Sequence, residues 1–252
     1  MQALAFSPQK KLLVTGDSGG ELEFISVGAS PRTIFSRQFE GGINEIVFSP
    51  TSGEVLIEQR RRLSLWNVAT KKEIWWRDTD DEVVRAAFSS DGSEIAVSLA
   101  SRIMVLDRAT GEKRNIFEMD EIRPFVSDLA FSRNGEKLIA AVNSDLVILD
   151  ARSGRRQKTL AGKSGDLITV TLLDRGDLAI VVGENNLIQK WDLLKGSVLS
   201  SWDLPPGLIT NSGRYLVNTT ERAGEIEVWQ LSPQKRSHAL HYKSPKDTPT
   251  AN

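Results

Sequence analysis

Two local signals recur along the chain at one spacing, and that period constrains the fold more than any other feature. The first is an apolar run entering a Ser-rich turn: ALAFSPQKKLLVTG, EIVFSPTSGEVLIE, AAFSSDGSEIAVS and LAFSRNGEKLIAAV, then VTLLDRGDLAIVV and LITNSGRYLVNTT. The second is a triplet centred on Ile25, Trp66, Leu106, Leu149, Trp191 and Trp229, positions that lie 41, 40, 43, 42 and 38 residues apart. A period near 40 kept by two independent landmarks marks a repeat array, in which each unit buries its apolar faces against its neighbours.

One unit reads as four short strands. The third runs VVRAAFS, turn SDGS, EIAVS, turn ASR, IMVLD, turn RATGE, then KRNIF. Each run has strand length and is bounded by Gly, Ser, Asp or Asn. The turns are too short for helices, so neighbouring strands pair antiparallel. First strands carry small and apolar residues (Ala3, Ala5, Ala86, Ala87, Ala130) and end in Phe6, Phe48, Phe88 or Phe131. Third strands are almost continuously apolar, as in a sheet covered on both faces. Fourth strands are mixed: Lys113, Arg114 and Asn115 precede Ile116, and Arg156, Gln157 and Lys158 precede Leu160. Small inner edge, buried middle and polar outer edge suit a radial blade, an arrangement that also protects sheet edges.

These residues resemble the WD-repeat β-propeller family across residues 2–242. The resemblance rests on the AFSP and VFSP turns, the SDG and RNG turns, and Trp191-Asp192, with Trp66-Asn67 and Trp229-Gln230 as variants. It implies an all-β propeller of six four-stranded antiparallel blades, or a six-blade arc of a seven-bladed ring, with repeats of about 2–40, 41–81, 82–121, 122–163, 164–204 and 205–242. It also implies that the third-strand tryptophan fills the gap between adjacent blades. The chain departs from the family in having no Gly-His pair, with His238 and His241 its only histidines, and in placing Leu106 and Leu149 where tryptophan is expected. The family's polar tetrad is therefore not assigned, and packing is expected to hold the blades.

Composition removes several function classes. There is no cysteine, so disulfides, thiolate nucleophiles and sulfur-ligated metals are excluded. Thirty-two basic and 33 acidic side chains leave a net charge of −1, without a global preference for nucleic acid or membrane surfaces. No basic region followed by an apolar leader opens the sequence, and no apolar run has membrane-spanning length. A cytoplasmic location is the expectation. Two histidines three apart on a strand face opposite sides, and no Ser/His/Asp order is present, so zinc and nucleophilic chemistry lack parts. AGKSGD (161–166) lacks the upstream glycine of a phosphate loop, because residue 157 is Gln, and a strand follows it; it reads as an inter-blade turn.

Turns between second and third strands, and those between blades, should share one face. There QRRRLSL supplies Arg60, Arg61 and Arg62, with Arg102 in the equivalent turn of the next blade. RDTDDE supplies Asp78, Asp80, Asp81 and Glu82, and EMDEIR supplies Asp120, Glu121 and Arg123. A charged rim of this kind steers a complementary partner. The plainer alternative, given that charged loops are common on any surface, is that these charges are solvated or pair with one another, contributing little. Adjacent Trp75 and Trp76 on a fourth strand must face opposite sides, one packing between blades and the other partly exposed. Trp202 matches a fourth strand, which makes Trp202-Asp203 a coincidental second Trp-Asp. Residues 243–252 read as a disordered tail, in which Ser244-Pro245 and Thr248-Pro249 are potential sites for proline-directed kinases.

The expectation is a noncatalytic scaffold, needing no cofactor, that docks a peptide or domain of another protein on its loop face, as a monomeric domain or as part of a larger complex. Nucleic acid is disfavoured as a partner, because the basic loops lack interleaved aromatics and lie beside acidic ones. The alternatives are a hydrolase- or lactonase-like propeller enzyme with carboxylates holding a metal in its central channel, and a structural module of a larger assembly.

Overall fold

The computed structural model describes residues 3–7, 11–28, 30–120, 122–162, 165–173, 176–204, 208–209, 215–219, 225–231 and 234–241. Side chains of part of the last three segments, His238 and His241 among them, lie outside the described set, as do Lys163, Ser164 and residues 242–252. Among the described residues there are six four-stranded sheets and no helix. Every pairing is antiparallel between consecutive strands, as the short turns require. The chain divides into two compact units, residues 1–161 and 162–252.

The first unit holds four sheets. They are β1–β4 (Ala3–Phe6, Leu12–Gly16, Glu21–Ser26, Arg32–Gln38), β5–β8 (Ile43–Phe48, Glu54–Gln59, Arg62–Asn67, Lys72–Asp78), β9–β12 (Arg85–Phe88, Glu94–Leu99, Arg102–Asp107, Lys113–Glu118) and β13–β16 (Val126–Phe131, Lys137–Val142, Asp145–Asp150, Arg156–Ala161). Their first strands, β1, β5, β9 and β13, lie side by side in that order. The second unit holds β17–β20 (Leu167–Leu172, Leu178–Gly183, Leu187–Asp192, Ser197–Asp203) and β21–β24 (Leu208–Ile209, Tyr215–Thr219, Glu225–Leu231, Gln234–His241).

The periodic landmarks have a backbone cause. In all six sheets the register between third and fourth strands shifts immediately before Ile25, Trp66, Leu106, Leu149, Trp191 or Trp229. Each fourth strand thus carries one extra residue, such as Ile34, Ile74, Arg114 or Gln157. A bulge of this kind bends the outer strand and increases its twist.

Apolar seams join neighbouring sheets within each unit. In the first, Trp66 is 1% exposed and packs against Phe35 and Phe39 of the preceding sheet, with ring centroids 6.1 and 5.8 Å apart. Its indole Nε1 donates to Ser64 Oγ at 3.0 Å. Fourth-strand aromatics make a second kind of seam. Buried Trp75 donates from Nε1 to the Arg108 carbonyl of the next sheet at 2.8 Å and lies flat on Gly111. A Cβ on Gly111 would sit 2.7 Å from the indole, and its φ of +68° independently favours glycine. Phe117 covers Gly154, φ +69°, in the same way one sheet further on. In the second unit Trp202 is buried with Ile180, Ile188, Leu216 and Leu231.

The turn after the third strand is fixed by an acid or amide at its start. Thr110 N donates to Asp107 Oδ1 at 2.9 Å, Ser153 N to Asp150 Oδ1 at 2.8 Å, and Lys195 N to Asp192 Oδ1 at 2.9 Å. Asn67 serves Thr70 identically. The Asp of Trp191-Asp192 therefore caps a turn, while its Trp is buried.

Candidate interaction face

In the first unit, the turns between second and third strands and the loops between sheets share one face, and backbone hydrogen bonds tie them together. Thr79 N donates to Arg61 O, Val83 N to Arg60 O, and Met119 N to Ser101 O. Val126 N donates to Ala100 O at 2.6 Å, and Phe125 and Asn143 exchange a reciprocal pair. Loops held this way keep fixed positions while their side chains project outward.

The structure brings most of the charged rim into mutual pairs. Arg60 pairs with Glu82. Arg62 Nε donates to Asp78 Oδ1 at 2.9 Å, and its guanidinium lies 4.4 Å over the Trp76 ring. The Asp78 bond holds the Arg62 pKa above the ordinary arginine value. Arg102 Nη2 donates to Asp81 Oδ2 at 2.9 Å and lies 3.8 Å from Asp80. Asp120 accepts from Arg156 at 2.5 Å. Arg61, exposed and without an ion pair among the described residues, lines a groove of about 320 Å³ with Glu40 and Gln59. Exposed Arg123 has a φ of +52°, and Glu121 lies outside the described residues.

Two features of this region carry signals that charge patterning alone does not pick up. Within the loop 119–125, Ile122 is 92% exposed and Phe125 is 49% exposed, beside buried Met119. Apolar side chains this accessible on a backbone pinned at both ends are characteristic of interaction surfaces. The second feature is a polar row on the innermost strands. Glu45, Arg85 and Asp128 occupy one register position in three consecutive sheets, each three residues before a strand-ending Phe48, Phe88 or Phe131. That fixed offset was the available sequence signal.

Glu45 Oε2 accepts from Ala86 N at 3.1 Å, and its Oε1 lies 3.9 Å from Arg85. Asp128 Oδ1 accepts from Leu129 N at 2.8 Å. Glu58, cross-strand from Glu45 and 1% exposed, has its pKa pushed up to about 9, by burial first and then by the neighbouring Glu45 charge. Burial also raises Glu45, against the opposing pull of Arg85. Burial and the facing Glu45 charge thus both favour the neutral form of Glu58. Among the described residues, no group of three or more His, Cys, Asp or Glu side chains is arranged to hold a metal ion. No helix there is long and apolar enough to cross a membrane.

The family described as outer membrane protein assembly factor BamB matches residues 15–239. The chain belongs to this family. Among solved structures, the BamB-family chain is similar to the β-propeller domain of Cps50 (Swd1) from Myceliophteria thermophila. The TM-score is 0.82 over 95% of this chain and 85% of that one, at 15% identity, a likeness that shows the fold. No curated protein matches the chain in sequence. The BamB-family fold is the β-propeller that the repeat period and the WD-repeat resemblance implied.

Proposed function

We propose that this BamB-family propeller is a noncatalytic scaffold of the WD-repeat kind, which docks a segment of another protein on the loop face of its first unit. The observation that carries the reading is the pairing of accessible apolar groups, Ile122 and Phe125, with a hydrogen-bonded loop backbone on the face that also bears Arg60, Arg61, Arg62 and Arg102. Apolar anchors supply affinity, and the surrounding charges set orientation and encounter rate. The matched family is described as an assembly factor, and the solved neighbour is a propeller domain, so a protein partner within an assembly is the natural class.

Catalysis is left out of the proposal because the inner-row carboxylates are already engaged, Glu45 with Arg85 and a backbone amide, Asp128 with a backbone amide. Metal analysis and hydrolase screening of purified protein test that choice. The docking claim is tested by Ile122→Asp and Phe125→Ser. Both variants should melt as the parent does, while losing the partner recovered by affinity purification from the native cell. Full recovery of that partner with both variants would refute docking on this face.

A further inference from the structure

The outer strand β8 differs from its counterparts. At the bulge β12 places Arg114 and β16 places Gln157, whereas β4, β8 and β20 place Ile34, Ile74 and Leu199, and of these only β8 follows it with two tryptophans, Trp75 and Trp76. Trp75 is buried in the seam, but Ile74 is 43% exposed and Trp76 is 47% exposed. Large apolar side chains on an edge strand invite pairing with another strand.

The sequence of β8, Lys72-Glu73-Ile74-Trp75-Trp76-Arg77-Asp78, is complementary to itself when reversed. An antiparallel register with Trp75 opposite its own copy sets Lys72 against Asp78, Glu73 against Arg77, and Ile74 against Trp76. Every pair then occurs twice, once in each direction, as a two-fold interface demands. Four opposite-charge pairs flank two aromatic–β-branched pairs, the combination that stabilises cross-strand neighbours. No like charges meet. The bulge at Ile74 faces Trp76 of the other copy, so the two irregular steps are related by the same axis. All of these residues except Trp75 are exposed.

We infer that β8 is a self-association edge, through which a second copy of this chain docks antiparallel about a two-fold axis at Trp75. The inference does not rest on the loop-face reading; the two regions adjoin where Arg62 pairs with Asp78 and lies over Trp76. Three existing contacts bear on pairing, one of them the bond that Arg77 Nη2 donates to the Thr110 carbonyl at 2.7 Å and gives up when the guanidinium turns. Arg77 Nη1 now donates to the Trp76 carbonyl at 2.7 Å, and it would turn to Glu73 of the second copy. Asp78 keeps Arg62 on one side while meeting Lys72 on the other.

The register makes a demand that no other arrangement shares. Glu73→Arg alone sets Arg against Arg twice, and Arg77→Glu alone sets Glu against Glu twice. Each should weaken dimerisation about tenfold or more. Mixing the two single variants restores both pairs, as does the double variant. Sedimentation equilibrium of the full chain is expected to show a concentration-dependent mass approaching twice 27.9 kDa. The single variants should remain monomeric at the same concentration, and their equimolar mixture and the double variant should dimerise. Trp76→Glu should abolish association throughout. A monomer at all concentrations overturns the inference, as does a dimer indifferent to these changes or a mixture that fails to associate.

Discussion

The two faces of the first unit are built from the same strands on opposite principles. On the face of the Asp107 and Asp150 turns, specific contacts hold the turns in place: Trp75 sits on Gly111, Arg108 Nη1 bridges both Glu54 oxygens at 2.9 Å, and Ser89 Oγ donates to Asp91 at 2.7 Å. On the opposite face the backbone is pinned, but the side chains form exposed ion pairs and leave Ile122 and Phe125 uncovered. One face stitches neighbouring sheets together. The other can vary without loosening them.

The contrast should appear first in stability. Trp75→Ala empties a seam and orphans the Arg108 carbonyl, so it should cost about 3–5 kcal/mol in urea unfolding. Gly111→Ala attacks the same contact from the other side through both φ and the indole, and should be comparably damaging. A loss under about 1 kcal/mol in either would show that the seam does not bear the stability assigned to it.

Arg108→Ala removes a charge-assisted, partly buried pair and should cost about 2 kcal/mol by the same assay. An equal loss from Arg60→Ala would erase the distinction between the faces.

Titration separates the regions further. Asp107, held low mainly by the Thr110 amide, and Asp91, held low mainly by the Ser89 hydroxyl, stabilise the folded state above the ordinary carboxylate range. That contribution is lost as pH falls through their depressed values. Glu58 has the opposite sign. Its folded value near 9 exceeds the ordinary 4.5, so its contribution is full below about 4.5 and disappears as pH rises through about 9. Melting temperature should therefore decline from pH 5 to pH 9, and Glu58→Gln should flatten the decline and gain a few degrees at the alkaline end. A parent profile already flat over that window would contradict the buried neutral acid.

Much of this architecture could be read from the chain because its period has a steric origin. Ile25, Trp66 and Leu106 recur where each outer strand gains its extra residue, and a bulge cannot drift without flipping side chains across the sheet. The Trp-Asp pair was visible for two unrelated reasons, Trp191 as a buried aromatic and Asp192 as turn cap. Trp75 and Trp76 likewise divided as strand alternation requires. The Gly111 and Gly154 platforms were harder to see, because a glycine in a turn looks alike whether or not an aromatic from the neighbouring sheet rests on it. Glu45, Arg85 and Asp128 escaped notice because each stands alone in its own repeat and acquires neighbours only when first strands align. Rim charges were identified individually, but their pairing, Arg60 with Glu82 and Arg102 with Asp81, depends on loop geometry that composition does not encode.

The smallest expected effect on folding belongs to the rim. Single alanine changes at Arg60 or Arg62 should shift unfolding by less than about 1 kcal/mol, as exposed pairs do. The decisive measurement combines both properties in the triple Arg60→Ala, Arg61→Ala, Arg62→Ala variant, with urea midpoint and partner recovery from the native cell determined side by side. The account predicts a midpoint close to the parent's together with a several-fold loss of the recovered protein. A parent-like recovery at an unchanged midpoint would show that this face folds as described but does not carry recognition.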